Sequence, residues 1–221
     1  MTATKLSLEP INRRPLHVLY PTGVKGHRRV FVESAIKDLL KSVPADLPGE
    51  NFYKGRADEI MRLGRDNARR DEDGDYQVDA AVMIDKISSD VWRSGQDRYE
   101  LLVTTIDLYA PDLNFMFGVS APQLGCVFSF KRFREAGVLA IETAKTVLMH
   151  ELGHTFGLPG ATRTKAIEES LGRHCTRKDC IMRQGLTLDE FISHTRDRLR
   201  AGKALCALCE EDLVRQFWRK R

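Results

Sequence analysis

His150-Glu151-Leu152-Gly153-His154 constrains this chain more than any other five residues, because two histidines four apart face one point only when the backbone between them is an α-helix. On a helix face the pair can present two imidazole nitrogens to one metal ion, with Glu151 beside them. Zinc held there would bind a water and lower its pKa to about 7, and a carboxylate in hydrogen-bond reach would take the proton as that water attacks a carbonyl carbon. Glu151 is placed for that role. The pattern fixes only its two histidines and the glutamate, so alone it is weak and the residues around it must carry the reading.

They do so first through periodicity. Val138 to Phe156 runs without proline and places Ile141, Ala144, Leu148, Leu152 and Thr155 at three- and four-residue steps, which predicts a helix burying one stripe. Val147, Glu151 and His154 share the neighbouring face and are expected to look into a cleft. Gly157 ends the helix, since glycine reaches left-handed backbone angles readily and lets the chain turn back toward the metal.

The cysteines form a second pattern. Cys175 and Cys180 have four residues between them, and Cys206 and Cys209 have two, so two thiolate pairs can close a tetrahedral structural zinc site without an open position. Such a site would staple a C-terminal segment whose polar stretch, Arg196 to Lys203, offers little apolar surface to bury. Cys126 lies in the apolar run Gly125 to Phe130 and reads as a buried strand residue.

A chain of 221 residues with 42% hydrophobic content can bury one good core, and nothing marks a second. The expectation is a single domain over 1–221, with an N-terminal lobe (1–157) that ends in the metal helix and a C-terminal lobe (158–221). The net charge of +4 is mild and the basic residues are interleaved with acids, as in Arg69-Arg70-Asp71-Glu72-Asp73. Lys131 to Arg134 and Trp218 to Arg221 are basic but lack the signature of a nucleic-acid fold, so no nucleic-acid partner is expected. The N-terminal stretch has no apolar run long enough for a signal peptide, and no segment approaches the ~20 apolar residues of a membrane span, which predicts a cytoplasmic protein without a membrane partner. In that reducing setting cysteine pairs serve better as metal ligands than as disulfides.

Along the chain, residues 16–20 read as a strand and 29–41 as a helix with Val30, Ile36, Leu39 and Leu40 inward. A turn-rich stretch around Pro44 and Pro48 follows, then helices over 56–68 and 77–90 separated by the charged loop Asp71 to Asp75. Leu101 to Asp107, Phe115 to Val119 and Cys126 to Phe130 read as strands. This alternation predicts an α/β (α+β) fold: a twisted mixed sheet with helices in the N-terminal lobe, a small irregular zinc-held C-terminal lobe, and a cleft between the two.

From about Leu101 to Cys209 the sequence resembles the archaemetzincins, a branch of the metzincin clan of zinc metallopeptidases with the pattern HExxHxxGxxH followed directly by CxxxxCxM and later CxxC. His150, Glu151, His154 and Gly157 match in register, His174-Cys175, Cys180 and Met182 match the second half, and Cys206 and Cys209 complete it. The stretch Asp107 to Gly118 also looks like the family's segment ahead of the active-site helix. The resemblance implies a metzincin-like fold and two zinc ions per chain. One, catalytic, would be bound by His150, His154 and His174, with Glu151 as general base and acid. The other, structural, would be held by Cys175, Cys180, Cys206 and Cys209. Met182 would pack beneath the metal as the Met-turn. By the same analogy Cys126 to Phe130 would be the edge strand that pairs with an extended peptide substrate. A monomer is expected, since no long apolar stripe is left unassigned.

At one place the chain departs from the family pattern. Two residues normally separate the glycine from the third histidine, whereas sixteen, Leu158 to Arg173, separate Gly157 from His174 here, and position 160 is Gly160. Thr162 to Leu171 carries helix-forming residues and is expected to form a short helix. Extra loop length costs only about 0.6 kcal/mol per doubling, and His174 is tethered beside Cys175, so His174 remains the expected ligand and His194 its substitute. His17 and His27 have no ligand spacing. The rival reading is a non-catalytic or latent zinc-binding module whose cleft is covered by the 159–173 insertion.

Overall fold

Tyr99–Thr104 is buried at every position, so this strand needs apolar cover on both faces, and helices supply it. A computed structural model describes residues 8–10, 12, 14–41, 54–111, 113–170 and 172–220. The chain runs β1 (Leu8–Pro10), β2 (Leu16–Leu19), α1 (Gly26–Leu39), α2 (Lys54–Asp66), β3 (Arg69–Arg70), β4 (Tyr76–Asp79), α3 (Ala80–Arg93), β5 (Tyr99–Thr104), β6 (Asp107–Ala110) and β7 (Leu113–Met116). It continues through β8 (Gly118–Ala121), β9 (Gly125–Ser129), 3-10 turns over Lys131–Leu139, α4 (Ala140–Thr155), β10 (Ile167–Glu168), β11 (His174–Cys175), α5 (Leu188–Ala201), α6 (Ala207–Phe217) and β12 (Trp218–Lys220).

The central sheet has the order β2-β5-β9-β8. Its first three strands are parallel and β8 returns antiparallel at the edge. Successive residues of β5 point to opposite faces: Leu101 and Val103 join one core with Val32, Ala35 and Leu39 of α1 and Val147, Leu148 and Leu152 of α4. Leu102 joins the other, with Ala57, Ile60 and Met61 of α2 and Met83, Ile87 and Val91 of α3. A second sheet, β3-β4-β6-β7, is tied to the first segment of 3-10 turns by Asp107, which accepts from Gln77 Nε2 at 2.8 Å and from the Arg132 guanidinium. Among the described residues no helix is long and apolar enough to cross a membrane.

The mixed α/β class holds, with local differences from the sequence expectations. The strand predicted over Cys126 to Phe130 exists as β9 but lies inside the sheet between β5 and β8, so the edge strand is β8. The three-residue turn, 122–124, folds β8 back against β9 as a hairpin. The predicted helix 77–90 starts at Ala80 instead, because Asp79 caps it, accepting from Ala81 N at 2.8 Å, while 76–79 pairs as β4. The strand expected over Phe115 to Val119 is interrupted at Phe117, between β7 and β8. Val30 is 64% exposed and Ile141 70% exposed rather than inward. The stripe of α1 that meets α4 carries Val32, Ala35 and Leu39, and Val30 lies two residues off it, on the far side of the helix. Thr162 to Leu171 forms no helix across its described residues; Ala166 takes φ 53° and β10 pairs antiparallel with β11, which overrides a weak helix propensity. The turn-rich stretch around Pro44 and Pro48 lies outside the described residues.

The C-terminal segment is more regular than its polarity suggests. Thr187 and Glu190 form a capping box at the start of α5, with Glu190 Oε2 accepting from Thr187 N at 2.9 Å, and Gly202 ends the helix at φ 65°. Thr187→Ala removes the hydroxyl that accepts from Glu190 N and is expected to lower stability by about 0.5–2 kcal/mol. Urea unfolding would show this as a lower midpoint at unchanged slope, whereas an unchanged midpoint would mean that tertiary packing alone starts α5.

Candidate metal centres

α4 packs against α1, α5, β8 and β9, and from Thr146 to Thr155 every residue but His154 is buried. A helix so enclosed needs partners for the polar side chains it buries. His150 Nδ1 lies 2.7 Å from Ile181 O and His154 Nδ1 lies 2.9 Å from Leu158 O. A carbonyl oxygen can only accept, so both Nδ1 atoms carry the proton and both Nε2 atoms are bare lone pairs. These lone pairs point at each other: His154 Nε2 is 3.2 Å from His150 Nε2 and 3.1 Å from His174 Nε2.

Three imidazoles arranged in this way repel unless a cation lies among them. A tetrahedral zinc with bonds of about 2.0–2.1 Å spaces its nitrogens by about 3.3–3.4 Å, so the donor set fits the ion. Burial also keeps the rings in the neutral, metal-binding form. It lowers His150 and His174 to about 4 and, with the neighbouring rings, holds His154 well below the usual range.

Glu151 is 8% exposed, beside the edge strand. Ser120 of β8 donates its hydroxyl to Glu151 Oε2 and lies 3.0 Å from the Glu151 backbone oxygen. Burial pushes the carboxyl up to about 7, and the Ser120 hydrogen bond opposes that shift. Two glycines permit the close packing. A Cβ on Gly118 would fall 2.8 Å from both Glu151 Cγ and Val127 O, and one on Gly153 would fall 2.2 Å from Met182 Sδ. Met182 is wholly buried against α4 at that point. Reading the sequence alone missed Gly118, Ser120 and Gly153; only Gly153 left a signal there, as a mid-helix glycine that costs about 1 kcal/mol relative to alanine.

The four cysteines converge as well. Their sulfurs all lie within 4.8 Å of one another, none is in a disulfide, and Cys175 Sγ and Cys206 Sγ are 3.7 Å apart. Zinc–sulfur bonds of about 2.3 Å would space tetrahedral thiolates by about 3.8 Å. Cys206 stands at the N-cap position of α6 and Cys209 lies in its first turn, where the positive end of the helix favours negative charge. Hydrogen bonding among the four thiols lowers Cys175 and Cys206 and raises Cys180 and Cys209, so the cluster shares its protons as one unit.

His174 reaches the other two histidines because the excursion closes on itself. Glu168 pairs with His174 and Ile167 with Cys175, and the His174 ring stacks on His150 at 5.3 Å between centroids. Gly160, where the shorter spacing would place a histidine, instead donates its N–H to Asp212 Oδ2 at 2.9 Å. Among the described residues the candidate ligand groups are the three histidines and the four cysteines, and His194 is in neither. It is buried in α5 with its ring 5.6 Å from Phe191. His17 lies on β2 and His27 in the first turn of α1, whereas Cys126 is buried in β9, where burial raises its thiol.

No protein-family model matches the chain. Over 134 residues it is 33% identical to the archaemetzincin of Methanopyrus kandleri, a match covering 59% of this chain and 65% of that one. Over 123 residues it is 31% identical to the archaemetzincin of Thermococcus kodakarensis, covering 52% and 55%. The crystal structure of the Methanopyrus kandleri protein shares the fold, with a TM-score of 0.56 at 24% identity over 94% of this chain and 97% of that one. The chain is a relative of the archaemetzincins. A zinc-dependent peptidase from Methanocorpusculum labreanum has the same fold, with a TM-score of 0.54 at 20% identity over 90% of this chain and 99% of that one. The sequence matches span between half and two thirds of the length of these archaemetzincins.

In this archaemetzincin relative the contact of Gly153 with Met182 ties the histidine helix to the segment beneath it. Gly153→Ala is expected to destabilise the fold by about 1–3 kcal/mol through overlap. The double variant with Met182→Ala should lose less than the sum of the two singles. Denaturant midpoints of all four proteins test this, and strict additivity would mean that the two residues do not press on each other.

Proposed function

We propose that the chain is a zinc metallopeptidase of archaemetzincin type, formed by one catalytic domain over 1–221. The observation that carries this reading is the convergence of the Nε2 atoms of three histidines beside a buried glutamate at the edge of a sheet. His150, His154 and His174 would hold the catalytic zinc, and Cys175, Cys180, Cys206 and Cys209 a structural one. Zinc would supply Lewis acidity, polarising the scissile carbonyl and making a water acidic near neutral pH.

The remaining work falls to the chain's own residues. β8 is an antiparallel edge strand of intermediate exposure, so an extended peptide can add to it by main-chain hydrogen bonding. This gives β8 the role that the sequence analogy assigned to β9. Ser120 holds Oε2 of Glu151 and leaves the other oxygen to take the proton of the attacking water and deliver it to the leaving amine. The Nδ1 hydrogen bonds to Ile181 O and Leu158 O fix the ring orientations. The hydrogen bonds of the 159–173 excursion run to α6 and to the turn after β11, which supports a catalytic over a latent reading. Buried reduced thiols suit a cytoplasmic setting.

Glu151→Gln is expected to keep the fold and the metal while lowering peptide hydrolysis by about 10²–10⁴-fold; hydrolysis at the wild-type rate would overturn the mechanism. Metal analysis should find two zinc ions in the wild type, with one lost in His174→Ala and the other in Cys206→Ala. A single zinc, indifferent to His174 and lost with Cys206, would replace the peptidase by a zinc-binding module.

A further inference from the structure

Arg163 lies within the stretch by which this chain exceeds the HExxHxxGxxH spacing, and its position is unusual for a surface excursion. Its side chain is 7% exposed. Nη1 lies 3.2 Å from Cys209 Sγ and 3.0 Å from Asp212 Oδ2, and Asp212 is also 7% exposed. Asp212 follows Cys209 by three residues on α6, so both stand on one face of that helix. The same Asp212 oxygen takes the Gly160 N–H, while Nε and Nη2 of Arg163 have no partner among the described residues.

A guanidinium is charged at every physiological pH, and a buried cation needs compensating negative charge. Asp212 supplies one carboxylate. The other source is the cysteine cluster, since four thiolates around one zinc leave a net negative charge. Cys209 and Cys175 both act on Arg163 in this sense.

We propose that Arg163 is a positioning residue for the cysteine zinc, donating an N–H to the Cys209 thiolate, and that the extra residues form an arm locking this site to His174. The proposal rests on the two-zinc reading above. An N–H···S bond withdraws electron density from the sulfur, which weakens its attraction for competing protons and slows ligand dissociation. The arm carries that restraint onward. Arg173, next to His174 in sequence, donates Nε to Gly160 O at 3.3 Å and Nη2 to the Arg163 carbonyl oxygen. The path therefore runs from Cys209 through Arg163 and Arg173 to the third histidine. Spacing with two residues after the glycine has no room for this arm.

Cobalt(II)-substituted protein tests the proposal, because the thiolate-to-cobalt absorption band reports only the sulfur site. In Arg163→Ala the band is expected to move to longer wavelength, as a sulfur without its donor releases an electron more easily. Its decay on addition of EDTA is expected to become roughly 10–100-fold faster, the usual effect of losing an outer partner of a metal ligand. Arg163→Lys keeps the charge beside Asp212 but brings one ammonium to two acceptors, so it should fall between, and it carries the test if the alanine variant fails to fold. A residue that merely anchors the loop would leave the band position unmoved. A wild-type band position and decay rate in either variant would overturn the role of Arg163. Absence of any thiolate-to-cobalt band in the wild-type protein would instead overturn the cysteine zinc on which the proposal rests.

Discussion

α4 is a polar helix in an apolar place, and its buried polar side chains are largely paired, with Thr143 Oγ1 left without a partner among the described residues. His150 and His154 donate to the carbonyls of Ile181 and Leu158, Glu151 takes the hydroxyl of Ser120, and the hydroxyls of Thr146 and Thr195 lie 2.9 Å apart. An unpaired buried group would cost about 1–3 kcal/mol, so together these bonds outweigh any single packing preference nearby. They also fix what surrounds the helix. The edge strand, the segment carrying Met182, the turn after Gly157 and α5 are each held to α4 through one of its polar side chains.

The same hydrogen bonds serve the chemistry. With Nδ1 occupied by a backbone carbonyl, His150 and His154 each have their lone pair on Nε2, aimed at the other histidines. Burial disfavours protonation of all three rings and raises Glu151 to about 7, close to where a general base and acid should lie. One environment therefore supplies the proposed metal ligands in their binding form and the carboxylate in a form able to exchange a proton.

Beyond Gly157 the chain changes its source of stability. Lengthening the Gly-to-His connection from two residues to sixteen is three doublings and costs about 2 kcal/mol of closure entropy. Structural zinc sites contribute about 10–16 kcal/mol, so the proposed cysteine zinc absorbs that cost many times over. The excursion is consequently free to take up contacts of its own. It uses Gly160 and Arg163 against Asp212, and β10 against β11, without drawing His174 away from its partners.

The histidine helix, the pairing of the cysteines, a buried strand beginning the stretch Leu101 to Asp107, though it ends at Thr104, and the mixed α/β class could be read from the sequence, because each depends on local periodicity or spacing along one segment. The position of Val30, the start of α3, the extended form of the excursion and the identity of the edge strand could not. Val30 is as apolar as Val32, and only the direction in which α4 approaches decides which of them is buried. Likewise nothing within Gly118, Ser120 or Arg163 announces a role. Gly118 matters because Glu151 packs against it across 33 positions of sequence, and Arg163 because Cys209 and Asp212 lie beside it across more than 40. The sequence by itself determined which residues could bind metal and which segment had to be helical, since those follow from side-chain chemistry and a 3.6-residue repeat. The tertiary structure alone decided which strand lies open beside the glutamate and where the sixteen-residue excursion goes, since both depend on contacts between segments whose local preferences are neutral.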